Sequence, residues 1–201
     1  MQGHTPHHEP KAPAGAAAAG ASFNMAQLAV DAHAAGPEAA RVAFRWLSRS
    51  AGGRDLTYGE LARATNRFAQ VLGRLRLGPG DVVATVAGRI PELYLTALGA
   101  LKARAVFCPL FSNFGPEPLR TRLEIARARL LVTTDRQYRR KIEPLRPRLP
   151  LLEHVLIVRE PGSAALTRIQ SGLRSGGCGT IGTGFLRVLA SPFFFSCVAP
   201  G

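Results

Sequence analysis

The amino-acid sequence predicts an α/β protein with a mainly parallel sheet built from βαβ units. Short apolar runs that indicate strands alternate along the chain with longer segments of helical periodicity, and turn residues separate the two. The runs are apolar at successive positions, which is typical of strands covered on both faces. Strands and helices that alternate at this spacing favour a parallel sheet with helical crossovers.

The first structured segment is expected to begin at Ser22. Small apolar and polar residues alternate at roughly helical spacing over residues 24–49, with a break at Gly36-Pro37. The pair Gly52-Gly53 indicates a turn. We therefore expect helical structure up to this turn and a new element after it.

The strongest local signal is a capping box at the start of the next helix. The Thr57 hydroxyl can accept from the Glu60 amide, and the Glu60 side chain can reach back to Thr57. Apolar residues then recur on one helical face, namely Leu61, Phe68, Leu72 and Leu75. We expect this helix to end at Gly78-Pro79-Gly80.

The remaining elements alternate between strand and helix. We predict strands at Val82–Val86, Val106–Leu110, Leu130–Thr134 and His154–Val158. We predict helices from Pro91 onward, where proline suits the first helical position, over residues 117–129, and, with poorer periodicity, over residues 138–145.

Composition divides the chain into three parts. Residues 1–21, rich in Pro, Ala, Gly and His, predict a disordered leader. Residues 22–160 contain the strand–helix alternation. Residues 161–201 have no Asp or Glu and many Gly, Ser and Pro, so we expect a poorly ordered tail with one weak apolar segment at 185–189.

The charge is strongly positive and unevenly placed. The formal net charge is +13, and all but three of the 26 basic residues are Arg. Residues 120–148 hold ten bases and three acids. We interpret this stretch as a solvated, arginine-biased face; a phosphate-bearing small ligand and nucleic acid are the alternatives. The chain lacks the aromatic series that favours single-stranded nucleic acid, so we do not expect a nucleic-acid partner.

Cysteine usage and hydropathy bear on the compartment. Cys108, Cys178 and Cys197 are odd in number and lack paired spacing, which predicts neither a disulfide framework nor a metal site. No apolar run reaches the roughly 20 residues that a membrane-spanning helix needs. We expect a cytoplasmic protein without a membrane partner.

Three motifs in order resemble the adenylate-forming superfamily of AMP-dependent synthetases and ligases. Residues 56–61 (LTYGEL) are similar to its first core motif, and residues 77–83 (LGPGDVV) to the turn and strand that follow. Residues 101–110 (LKARAVFCPL) resemble its second core motif. The continuation at residues 111–117 (FSNFGPE) is most similar to acetate–CoA ligases, a group of AMP-forming acyl-CoA synthetases. The likeness covers roughly residues 23–160.

The resemblance implies an incomplete N-terminal subdomain of an adenylate-forming enzyme. For the complete enzyme it implies small-molecule substrates and cofactors: acetate or another short-chain acid, ATP, Mg²⁺ and CoA, converted through acyl-AMP to acyl-CoA, AMP and pyrophosphate. The family's phosphate loop, ribose-binding Asp and C-terminal Lys have no match in these residues, and the glycine-rich run at 175–184 has no following Lys. We therefore expect no catalytic residue, no ATP binding and no thioester formation by this chain alone.

The resemblance implies that one binding site of the family is present in this chain. That site would bind the nucleotide of CoA, so CoA is a possible ligand. In acetate–CoA ligases an aromatic-containing loop and basic side chains lie near the CoA nucleotide. The matching positions are Phe111, Ser112, Asn113, Arg139, Arg140 and Lys141. A guanidinium suits a phosphate monoester, and an aromatic ring can stack on adenine. In the alternative interpretation Phe111 belongs to the core and the bases are merely solvated.

Arg104 departs from the family pattern. It stands where the family usually has glycine, at a helix end where a left-handed residue is wanted. A non-glycine residue there should cost about 1 kcal/mol.

Two other functions stay open at this point. One is a basic nucleic-acid-binding module that uses residues 120–148, which would bind any polyanion with strong salt dependence. The other is a non-catalytic remnant without an independent role, which would be marginally stable because half a sheet exposes apolar surface. The sequence gives no indication of the oligomeric state.

Overall fold

The computed structural model describes residues 23–47 and 53–158 and the backbone of residues 195–198. The N-terminal part is helical at first and then extended. In chain order it contains a π-helical turn at Gln27–Asp31, the short helix α1 (Ala32–Ala34), a 3-10 turn at Pro37–Ala40, and the strands β1 (Val42–Leu47) and β2 (Gly53–Thr57). The predicted leader, residues 1–21, lies outside the described residues.

The expectation of helical structure throughout residues 24–49 is wrong for β1. This strand pairs antiparallel with β2, with Leu47 opposite Gly53. Val42, Phe44 and Trp46 are β-branched or aromatic, and such residues favour a strand once a partner strand is present. Gly53 starts β2, and Gly52 lies outside the described residues.

Helix α2 (Tyr58–Arg74) begins at the predicted capping box. The Glu60 amide donates to Thr57 Oγ1 at 3.3 Å, and the Thr57 amide donates to the Glu60 carboxylate at 2.9 Å. The helix ends before the predicted glycines, because Arg76 takes a left-handed backbone with φ of 56° and the Leu77 amide returns to the carbonyl of Leu72.

Helices α3 (Pro91–Lys102) and α4 (Pro116–Ile125) end in the same way as α2. Arg104 has φ of 59° and Arg127 φ of 52°, and the amide of the next residue donates to the carbonyl five positions before it. This bond is the mark of a Schellman motif. The prediction that Arg104 occupies a left-handed position is confirmed, and Arg127 ends α4 earlier than predicted.

The central sheet has five strands in the order β4-β3-β5-β6-β7. Its parallel strands are the four that were predicted, β3 (Val82–Val86), β4 (Val106–Leu110), β5 (Leu130–Thr134) and β6 (His154–Val158). The α/β class with a mainly parallel sheet is therefore confirmed. Among the described strands β4 has a neighbour on one side only, and it contains Pro109, opposite Thr85 of β3.

Strand β7 (Phe195–Val198) lies antiparallel to β6 and was not predicted. The other residues of the predicted tail, including the apolar segment at 185–189 and the glycine-rich run at 175–184, lie outside the described residues. The expected poor order of that tail stays a prediction.

Helices cover both faces of the sheet because β3 lies between β4 and β5. The chain crosses in one direction from β3 to β4 and in the other from β4 to β5, so right-handed crossovers bring α3 and α4 to opposite faces. One core contains Phe68, Val83 and Ala100. The other contains Leu119 and Ile142. In open α/β sheets, ligands bind beyond the carboxyl ends of the strands where the strand order reverses in this way.

The segment after β5 is less regular than the predicted helix over 138–145. It consists of the short helix α5 (Asp135–Gln137), a π-helical turn at Tyr138–Ile142 and a 3-10 segment at Glu143–Arg148. Pro144 and Pro147 lack the amide hydrogen that a continuous α-helix needs. Buried Tyr138, Ile142 and Leu145 nevertheless fix the segment to the core.

Candidate functional site

The six predicted site residues lie at one end of the sheet. Phe111, Ser112 and Asn113 directly follow β4, and residues 139–141 lie in the π-helical turn after β5. Because β4 and β5 run parallel, the segments that follow them emerge at the same edge. At this edge, the chain leaves β3 toward β4 and leaves β5 in the opposite direction, toward β6.

A hydrogen bond joins the two predicted segments directly. The Lys141 ammonium donates to the carbonyl oxygen of Ser112 at 2.5 Å, across 29 positions of sequence. Lys141 is half-buried, so its charge is directed at the loop backbone rather than only at solvent. The loop after β4 and the basic turn after β5 therefore form one surface.

The loop after β4 presents an aromatic ring to solvent. Phe111 is 61% exposed, which does not fit the interpretation of this residue as core. The Phe114 amide donates to the Phe111 carbonyl at 3.1 Å, so residues 111–114 form a tight turn. The two rings are 5.8 Å apart at 74°, an edge-to-face pair, and the Arg122 guanidinium lies 4.1 Å from the centre of the Phe114 ring.

The turn that carries Lys141 also contains two guanidinium groups, those of Arg139 and Arg140. Arg139 pairs with Asp135 at 3.1 Å through Nε, so its two terminal nitrogens take no part in that pair. Arg140 is exposed, and within the described part of the chain its guanidinium makes no hydrogen bond or ion pair. The exposed Phe111 ring and two incompletely paired guanidinium groups at the same end of the sheet have the chemistry that suits a planar base and a phosphate.

Many other bases of residues 120–148 are engaged within the fold. Arg120 pairs with Glu117 at 2.9 Å and with Glu124 at 2.5 Å, and Arg148 also pairs with Glu117 at 2.5 Å. Hydrogen bonds from Arg148 and Arg120 hold the pKa of Glu117 below its usual value. Arg146 donates to the carbonyl of Leu152. This local pairing does not favour a continuous polyanion-binding face.

The opposite end of the sheet holds a denser charge network. Arg129 donates to both carboxylate oxygens of Glu153 at 2.8 Å and to Asp81 at 2.7 Å. Hydrogen bonding to Arg129 lowers the pKa of Glu153. Burial acts to raise the pKa of Asp81, but hydrogen bonds from Arg129 and the Gly78 amide leave it lowered. Beside them, burial lowers the pKa of His154.

The described residues show neither a metal-binding cluster nor a membrane-spanning helix. There, no three His, Cys, Asp or Glu side chains converge to hold a metal ion, and no helix combines the length and hydropathy that crossing a bilayer requires. Cys108 is half-buried, and burial raises the pKa of its thiol. Cys178 lies outside the described residues.

Comparison with known proteins gives the family. A family model described as AMP-binding enzyme matches residues 30–175, which is well over half of the chain. The chain belongs to the AMP-binding enzyme family. Curated relatives of this AMP-binding family member include the acetyl-coenzyme A synthetases of Streptomyces coelicolor and Methanothrix thermoacetophila, each 34% identical, over 149 and 152 residues. These alignments cover 70% and 71% of this chain and 23% of each relative, and they confirm the resemblance to acetate–CoA ligases.

Solved structures agree with this membership of the AMP-binding enzyme family. The chain resembles the acyl-CoA synthetase of Brucella canis with a TM-score of 0.61 and 28% identity, over 72% of this chain and 25% of that one. An anthranilate CoA ligase in complex with anthranoyl-AMP gives a TM-score of 0.58 at 22% identity, over 66% of this chain and 24% of that one, a likeness of fold. The chain spans about a quarter of the length of the proteins it matches.

Two neighbours of the site were not predicted. The sequence analysis counted Arg122 only as part of the basic stretch and Phe114 only as part of the motif at residues 111–117. The spacing of three between Phe111 and Phe114 is a weak signal for a tight turn with paired rings. The approach of Arg122 depends on where α4 begins after Gly115, which the sequence alone does not fix.

Proposed function

We propose that the complete protein activates acetate or another short-chain acid and transfers the acyl group to CoA. In this scheme the carboxylate attacks the α-phosphorus of Mg²⁺-bound ATP and releases pyrophosphate, and the CoA thiolate then displaces AMP from acyl-AMP. The acetyl-coenzyme A synthetase relatives support this reaction class. The proposed location is cytoplasmic, supported by the unpaired spacing of the cysteines.

We propose that this chain contributes the binding surface for the nucleotide end of CoA. The domain that would carry this surface spans about residues 22–160. The helices and strands described between residues 23 and 158 support these bounds. Phe111 would stack on the adenine, and Arg139 and Arg140 would pair with phosphate oxygens. Ser112 and Asn113 would offer the turn backbone to the nucleotide.

The observation that carries this proposal is the hydrogen bond from Lys141 to Ser112, which joins the aromatic loop to the basic turn. In this arrangement Lys141 orders the loop, and the neighbouring guanidinium groups provide the charge for the ligand. Pairing of Arg139 with Asp135 through Nε leaves the terminal nitrogens for a phosphate, because a guanidinium can donate on two sides at once.

Calorimetric titration of the 201-residue chain with CoA tests the proposal. We expect the wild type to bind, and Arg139→Ala to weaken binding roughly tenfold by removing one charge-assisted contact. Arg63→Ala, at an exposed position of α2, is the matched control and should leave the affinity unchanged. Absence of binding by the wild type, or equal binding by Arg139→Ala, would refute the proposed site.

A further inference from the structure

We infer that Arg122 is a positioning residue for the proposed CoA-nucleotide surface, and that it acts on Phe111 through Phe114. The inference rests on the proposed function, because it concerns how the stacking ring is held before a ligand arrives. Arg122 lies on α4 outside both predicted site segments, and the proposed binding surface does not include it.

The geometry around Arg122 restricts its guanidinium from two sides. The guanidinium carbon Cζ of Arg122 lies 4.1 Å from the centroid of the Phe114 ring, within cation–π range. Nη1 donates to the Pro118 carbonyl at 3.0 Å, one turn earlier on the same helix. A side chain held at both points covers one face of the Phe114 ring.

Phe114 transmits this restraint to the exposed ring. It packs against the core on the α4 face of the sheet, so it is a fixed support rather than a second solvent-exposed ring. Its ring meets that of Phe111 edge to face at 5.8 Å, and its amide holds the Phe111 carbonyl at 3.1 Å. A turn and a ring contact together limit the rotamers of Phe111.

The loop is thus fastened at two independent places. Lys141 holds its backbone through Ser112, and Arg122 holds its aromatic pair through Phe114. A ring ordered in advance loses less conformational freedom on binding, so pre-ordering increases affinity without adding a contact to the ligand. Loss of Arg122 should therefore weaken stacking on any adenine, with or without phosphates.

Titrations with CoA and with adenosine separate positioning from direct phosphate binding. We expect Arg122→Leu to weaken both ligands by the same factor, roughly three- to tenfold, and to leave the salt dependence of CoA binding unchanged. Arg122→Lys, which retains a cation over the ring, should recover part of the affinity. Arg120→Leu removes the same charge from the same helix at a residue paired with Glu117 and Glu124, and should have no effect.

The opposite pattern would overturn the inference. A loss confined to CoA, with a shallower salt dependence, would make Arg122 a phosphate contact instead, and equal affinities in Arg122→Leu and wild type would leave it no role at this surface.

A measurement without ligand keeps this inference distinct from the proposed function. Amide hydrogen exchange at Phe114 should accelerate several-fold in Arg122→Leu, while the urea midpoint stays that of the wild type. Unchanged exchange would overturn the positioning role even if CoA binds. A wild type that binds no CoA but shows this exchange difference would refute the proposed function and leave the positioning contact standing.

Discussion

The two ends of the central sheet use their charged residues differently. At the amino end, Arg129 has carboxylate partners on both sides, Glu153 and Asp81. At the carboxyl end, Arg139 has one partner through a single nitrogen, and Arg140 has none among the described residues. The four parallel strands keep these two sets of residues apart. Segments that precede the strands lie at the amino end of the sheet, and segments that follow them lie at the carboxyl end. Fully paired charge stabilises the sheet, whereas the incompletely paired charge at the carboxyl end supports the proposal of a ligand site there.

The largest effect is expected at the amino end. Arg129→Leu leaves Asp81 and Glu153 without their shared partner, and because all three are partly exposed we expect a loss of about 2 kcal/mol in the free energy of unfolding. Urea unfolding measures this loss. Arg129→Lys should lose less unfolding free energy, because lysine keeps the positive charge although it lacks the bidentate guanidinium. If CoA affinity falls while stability is unchanged, the division between the two ends is wrong.

The second effect is a pH dependence centred on His154. Burial lowers the pKa of His154 in the folded state, so between that lowered value and about 6.5 the unfolded chain holds the proton and the folded chain does not. Stability should therefore fall as the pH drops below about 6.5, by up to about 1.4 kcal/mol per pH unit. His154→Gln should remove this slope in unfolding curves between pH 5 and 7. A slope that persists in the variant would assign it to another group.

The third effect belongs to the carboxyl end. Phe111→Ala should weaken CoA binding by about 1 kcal/mol, or roughly fivefold, because a stacking surface is lost. Its unfolding free energy should not fall, because Phe111 is mostly exposed. Calorimetry and urea unfolding of the same preparation measure both quantities. A marked loss of stability would restore the interpretation of Phe111 as a core residue.

The smallest effect is expected at the helix ends that lead into the amino edge. Arg104→Gly relieves a left-handed backbone of φ 59° and should raise the free energy of unfolding by about 0.5–1 kcal/mol. Arg104→Ala keeps the strain and should bring no gain. Thermal unfolding detects the difference as a shift of a few degrees. Equal melting temperatures for the Gly and Ala variants would show that the strain is relieved locally.

The four parallel strands of the sheet were predictable because their signals are local. Each parallel strand is a short apolar run between turn residues, and the capping box of Thr57 and Glu60 needs only four positions. The helix ends were missed because an arginine at a left-handed position, as at Arg76 and Arg127, carries none of the signal that glycine gives. Strand β1 was missed because its residues take extended form only with β2 beside them.

The candidate site was predictable in position but not in detail. Parallel topology brings the segments after β4 and β5 to one edge, so the meeting of residues 111–113 with 139–141 follows from the fold. The bond from Lys141 to Ser112 and the approach of Arg122 to Phe114 depend on side-chain conformations and on an irregular turn. Neither has a sequence pattern, because the partners are 29 and eight positions apart.

Pro109 disfavours the addition of a further strand beyond β4. Proline supplies no amide hydrogen, so a strand laid along the outer margin of β4 would miss a rung of its ladder. Pairing along that margin would therefore lack one hydrogen bond at Pro109. Beyond β6 lies the other margin, where β7 already adds in the antiparallel sense. Additional strands in a longer polypeptide with this architecture are therefore expected to join on the β7 side of the sheet rather than beyond β4.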